Sequence, residues 1–147
     1  MKRIVVAVDR SESSLRAVDI AADVANKYDA ELVLLTVVHQ PTTPDPALEA
    51  YARMEHLKDP PEGMALEAVR DGLADIGERA RAKGAKRVSV DVFVGDVAAE
   101  ILAYAEGVRP DLIVMGSRGH GRLAGLLLGS VVQKVIGLTA CPVLVVH

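Results

Sequence analysis

At 147 residues, half of them hydrophobic and with a formal net charge of −3, the chain is expected to be one globular domain over 1–147 that buries roughly two thirds of its unfolded surface, not a disordered polymer. Its four aromatic residues (Tyr28, Tyr51, Phe93 and Tyr104), with no Trp and no basic stripe beside them, leave little on which nucleic-acid bases could stack, which argues against a nucleic-acid partner. The apolar run 4–8 is cut by Asp9 and is too short for a signal-peptide core, no stretch approaches a membrane span, and a lone Cys141 fits a reducing compartment, so a cytoplasmic setting is expected.

Five short β-branched runs alternate with helical periodicity, the pattern of a parallel α/β sheet. RIVVAV (3–8) feeds a helix expected over 13–28, with Leu15, Val18, Ala22 and Ala25 on one face and Ser11 or Ser13 as its cap. ELVLLTVV (31–38) is the second strand. After it, prolines at 41, 44, 46, 60 and 61 break regular structure at both ends of a segment that reads as a surface excursion, with a lid as one role for it. Leu66, Val69, Leu73, Ile76 and Ala80 then recur at three- and four-residue spacing, the core face of one helix ending at Gly84. RVSVDVFV (87–94) is the third strand, and the helix after it, over 97–106, should be capped by Asp96 and stopped by Gly107. DLIVM (111–115), a helix SVVQKVIGL beginning at Gly129, and PVLVV (142–146) complete the chain.

Right-handed crossovers lay these strands down in the order 3-2-1-4-5, an open parallel sheet with helices on both faces. The order reverses between strands one and four, and ligands of such sheets bind at that switch point, beyond the carboxyl ends of the strands. Asp9 and Gly116 begin the two loops there. Asp9 can accept hydrogen bonds from ribose hydroxyls or an adenine amine, or simply serve as a turn residue, and Val38 at the end of strand two can supply an apolar wall.

The loop after strand four carries the densest chemistry. In MGSRGHGRLAGLLLGS, Gly116, Gly119 and Gly129 follow the spacing G-x2-G-x9-G, and Ser130 comes next, between a strand and a helix. Missing Cβ atoms let backbone N–H groups approach an anion, and a helix start adds unsatisfied donors and partial positive charge. Residues 112–147 contain no Asp or Glu but include Arg118, Arg122 and Lys134, so this tail is +3 and the rest of the chain −6. An anionic partner is therefore expected at the glycine loop, steered there by a basic loop in which Arg118, His120 and Arg122 each contribute weakly.

Competing motifs are incomplete. Gly119-His-Gly121-Arg-Leu-Ala124 has the form GxGxxA, yet no acidic residue follows at the distance a dinucleotide ribose needs. There is no GxxxxGK[S/T], so no lysine is pre-placed against a γ-phosphate and fast hydrolysis is not expected. His39, His56, His120 and His147 lack metal-ligand spacing, although a divalent cation can arrive on phosphates. Ser130 lacks a GxSxG elbow, and Cys141 reads as a small buried hydrophobe, so no catalytic residue is assigned.

The opening IVVAVDRSESS, the segment VGDVAAEI and the block MGSRGHGRLAGLLLGSVVQKVIGLTACPVLVV together resemble the universal stress protein family over essentially the full length, and the glycine block matches the G-x2-G-x9-G-[S/T] mark of its ATP-binding subgroup without a gap. The resemblance implies a Rossmann-like fold of the adenine nucleotide alpha hydrolase kind and an ATP site, AMP or ADP being alternatives. Asp9 and Val38 would hold the adenosine part, while Met115, Gly116, Gly119, Gly129, Ser130 and Val131 surround ribose and phosphates. A Mg or Mn ion would ride on the phosphates. It also implies a homodimer, for which the uncharged terminal run 142–146 offers a pairing edge. Three functional readings follow: a nucleotide-dependent regulatory stress-response module with unknown protein partners, a slow ATPase or autophosphorylating enzyme using Ser117 or Ser130, and a nucleotide-free dimeric scaffold.

Overall fold

The computed structural model describes residues 1–39, 62–119 and 128–147; the Pro-flanked excursion and the stretch holding His120 and Arg122 lie outside the described residues. In chain order the elements are β1 (Arg3–Ala7), α1 (Glu12–Tyr28), β2 (Glu31–His39), α2 (Glu62–Gly72), α3 (Ala74–Ala82), β3 (Arg87–Gly95), α4 (Val97–Val108), β4 (Leu112–Gly116), α5 (Ser130–Leu138) and β5 (Val143–Val146). All strand pairings are parallel and the order is β3-β2-β1-β4-β5, as the crossover argument requires.

Alternation along the strands divides the interior into two cores. Ile4, Val6, Leu32, Leu34 and Val114 join α1 and α3 on one face, whereas Val5, Val33, Leu35, Ile113 and Met115 join α4 and α5 on the other. Both faces of the central strands are therefore apolar, which is why those strands read as continuous hydrophobic runs. Burying one side chain such as Leu32 or Leu34 contributes roughly 1.5–3 kcal/mol.

Alanine makes the inner face of α1. Ala17, Ala21, Ala22 and Ala25 are buried beside Val18, while Leu15 is only partly covered, so small side chains bring this helix close to β1 and β4. Of the two candidate caps, Ser11 is the one used: its Oγ accepts from Ser14 N at 3.3 Å. The helix ends at Asp29, left-handed at φ 51°, with Ala30 N bonded to Ala25 O.

Two helix expectations need correction. The stripe from Leu66 to Ala80 belongs to two helices, because the chain turns at Gly72 and Leu73, where Leu73 N donates to Arg70 O. Glycine is a poor interior helix residue, and the break leaves Leu73, Ile76 and Ala80 buried together, so periodicity alone did not register it. Gly107 likewise does not stop α4, which continues to Val108; the left-handed terminal position is Arg109, φ 49°, just before Pro110. A proline cannot extend the helix, and it outranks a glycine that the helix can accommodate. Asp96 caps α4 as expected, accepting from Ala99 N at 2.9 Å.

Candidate functional site

β1 delivers the chain into a tight turn at Asp9, Arg10 and Ser11. Asp9 Oδ1 accepts from Ser11 N at 2.9 Å, an Asx-type turn that presents Ser11 as the cap of α1. Arg10 occupies the left-handed region at φ 64°, unusual for a residue with a Cβ, and its guanidinium meets Asp75 on α3 at 3.1 Å. Asp9 thus has a turn role, as one of the two sequence readings held, and its second oxygen lies on the side of Gly119.

β4 delivers the glycine loop beside that turn. A Cβ at Gly116 would lie 2.5 Å from Ser13 Oγ and 2.6 Å from Ser14 N, so a glycine here is required by the close approach of α1. The loop's two ends are tied together: Ser117 N donates to Val146 O at 2.7 Å, and Gly129 N donates to Ser117 O at 2.8 Å. The Arg118 carbonyl accepts from Ser13 Oγ at 2.7 Å and Ser11 Oγ at 3.2 Å. A Cβ at Gly119 would stand 2.8 Å from Asp9 Oδ2, whereas one at Gly129 would make only ordinary contacts of 3.6 Å and beyond. Gly129 then caps α5 without a side-chain hydrogen bond, and Ser130 is the first helical residue.

These elements enclose a cavity of about 540 Å³ at the switch point between β1 and β4. Seven of the eight residues singled out from the sequence line it: Asp9, Met115, Gly116, Gly119, Gly129, Ser130 and Val131. Val38 does not. Parallel register sets Ala7 opposite Leu35, and Leu35, Val37 and His39 line the cavity from β2, while residue 38 belongs to the alternate set. Ser14 and, from α4, Val97 and Ile101 were also missed; counting by twos from the buried end of β2 would have found Val37 and His39.

One half of the wall is apolar (Leu35, Val37, Ile101, Met115, Val131 and Val132), and the other carries Asp9, the loop glycines, Arg118 and the start of α5. Such a cavity suits a flat apolar ring joined to an anionic tail. Of the three basic residues in the acid-free tail, Arg118 lines it, Lys134 does not, and Arg122 lies outside the described residues. Ser117 is buried and absent from the lining, so Ser130 alone of the two serines considered as phosphoryl acceptors reaches the cavity. Far from it, Cys141 is half-buried, donates to Pro110 O at 3.2 Å, and has its thiol pKa pushed up by burial. Among the described residues no cluster of His, Cys, Asp and Glu could hold a metal, and no helix is long and apolar enough to cross a membrane.

All 147 residues match the family described as the universal stress protein family. The chain is 35% identical over 145 residues to a universal stress protein of Methanocaldococcus jannaschii, covering 99% of this chain and 81% of that one. With the universal stress protein YxiE of Bacillus subtilis it shares 36% identity over 149 residues, 99% of this chain and 98% of YxiE. Among solved structures it is similar to a universal stress protein crystallised in complex with cAMP, at 31% identity and a TM-score of 0.69, covering 99% of this chain and 96% of that one.

Proposed function

The chain belongs to the universal stress protein family, and from that premise we propose that its cavity binds an adenine nucleotide, ATP in particular, and that occupancy regulates what the protein presents to partners. The carrying observation is the convergence of Asp9, Gly119 and Gly129 on one cavity with the uncapped start of α5. The first N–H groups of any helix lack intrahelical acceptors and carry partial positive charge, which fits phosphate oxygens.

The space at Gly129 supports the same reading. Its φ of −66° and ψ of 160° suit any residue, and a Cβ there would touch protein only at ordinary distances. A glycine that the protein itself does not require leaves room for a ligand. The adenosine part would lie against Leu35, Val37 and Met115 beside Asp9. The phosphates would lie at Gly119, Gly129, Ser130 and Val131, with Gly116 shaping the floor, and a Mg or Mn ion would arrive on them. A relative's complex with cAMP supports an adenine compound of this size.

Isothermal titration with ATP tests the assignment on the wild type and on Gly129→Val. Each charge-assisted hydrogen bond contributes about 1.5–3 kcal/mol, so a side chain that displaces the phosphates from two amides weakens binding roughly a hundredfold or more. Equal affinity in the folded variant overturns it.

A further inference from the structure

Two hydroxyls converge on the Arg118 carbonyl, and one of them belongs to a residue with no place in the nucleotide cavity. We propose that Ser13 is a positioning residue that aims the Gly119 amide at the anionic part of the ligand; the inference rests on the nucleotide reading above. Ser13 is 7% exposed, and its Oγ donates to Arg118 O at 2.7 Å. In a trans peptide the carbonyl and the next N–H point in opposite directions, and no peptide among the described residues is cis. Fixing the Arg118 carbonyl toward the start of α1 therefore turns the Gly119 N–H away from α1.

What lies on that other side is the nucleotide cavity. The Gly119 nitrogen is 3.8 Å from where a Gly129 Cβ would stand, and both glycines line the cavity. A second, polar cavity of about 490 Å³ shares Ser11, Arg118 and Gly119 with the first but is lined by Ser13, which the first is not. The peptide between Arg118 and Gly119 is thus a partition with its oxygen toward one cavity and its N–H toward the other. Among the described residues no acceptor meets that N–H. An amide held in place by its own carbonyl needs no reorientation when an anion arrives, which is the advantage of a preorganised donor.

Gly116 makes this clamp feasible, since a Cβ there would lie 2.5 Å from Ser13 Oγ. Ser11 also bonds the carbonyl, at 3.2 Å, but it caps α1 as well, so Ser13 is the cleaner residue to change.

The test compares ATP with adenosine, which has no phosphate, by titration calorimetry on wild-type protein and Ser13→Ala. The expected result is roughly tenfold weaker ATP binding with adenosine affinity unchanged, the amide being misaimed but still present. A merely structural role moves both ligands together. An unchanged ATP-to-adenosine ratio overturns the inference while leaving the nucleotide reading standing. Wild-type protein that takes up neither ligand overturns that reading, and the inference with it. Should the alanine variant fail to fold, Ser13→Cys, which keeps an atom at the γ position but donates weakly, takes its place with the same two outcomes.

Discussion

The glycines of one motif carry different physical burdens. Gly116 is fixed by protein packing, because a methyl group would meet both the Ser13 hydroxyl and the Ser14 backbone nitrogen, and the backbone cannot swing aside as a flexible side chain can. Gly129 has no such neighbour. Gly116→Ala is therefore expected to lose roughly 1–3 kcal/mol of stability in urea unfolding without nucleotide, the usual cost of overpacking a filled site. Gly129→Ala should unfold within about 0.5 kcal/mol of the wild type, as substitutions with room around them do. Equal losses in both variants would refute the division. The spacing G-x2-G-x9-G made the glycines conspicuous, yet it could not separate these roles, since only the seating of α1 against the end of β4 reveals that the first glycine is required by a helix as well as lining the cavity.

At the scale of elements, α1 is the member that organises the site: its first turn clamps the glycine loop, and its later turns bind α3. Arg79 Nε and Nη2 reach Asp19 Oδ1 and Oδ2, each at 2.7 Å, a two-pronged pair with Asp19 largely shielded. The Arg79 guanidinium holds the Asp19 carboxyl below its ordinary range, against the opposing effect of burial. A lowered folded-state pKa contributes stability above the unfolded value of about 3.9 and loses it as pH falls through the folded value. Asp19→Asn is accordingly expected to cost about 1 kcal/mol near neutral pH, the upper range for a pair whose arginine stays partly open to solvent, with the difference from wild type shrinking below about pH 4. Urea melts at pH 7 and pH 3 check this, and a difference that persists undiminished at the lower pH contradicts it. The helices themselves were legible from spacing and caps, as Asp96 and the alternating stripe show. The turn at Leu73 was not, because both helices bury the same stripe and the hydrophobic pattern runs straight through the break.

For the whole molecule, strand order and the place of the cavity followed from handedness and from five apolar runs, whereas the cavity's wall on β2 did not: Val38 was chosen as the last residue of a run, and the parity of the pleat decides instead for Val37 and His39. The same topology leaves β5 at one edge of the sheet. Its inner side is committed, since the carbonyls of Pro142 and Val146 accept from Ile113 N and Ser117 N. The backbone groups of Val143 and Val145, the alternate set, face outward along a strand with no charged residue, and the Leu144 side chain is 36% exposed at its middle. A bare apolar edge of this kind pairs readily with a second copy of itself, and a lysine on such a strand is a common means of preventing that. If the protein dimerises through β5, Leu144→Lys raises the dimer dissociation constant by tenfold or more while β4 pairing and nucleotide affinity persist. Light scattering after size exclusion, run over a range of concentrations, reads the difference. A variant that remains as dimeric as the wild type moves the interface elsewhere. Because β5 also anchors the neck of the glycine loop through Val146, a dimer formed here would tie the cavity of each copy by a single strand to the shared edge.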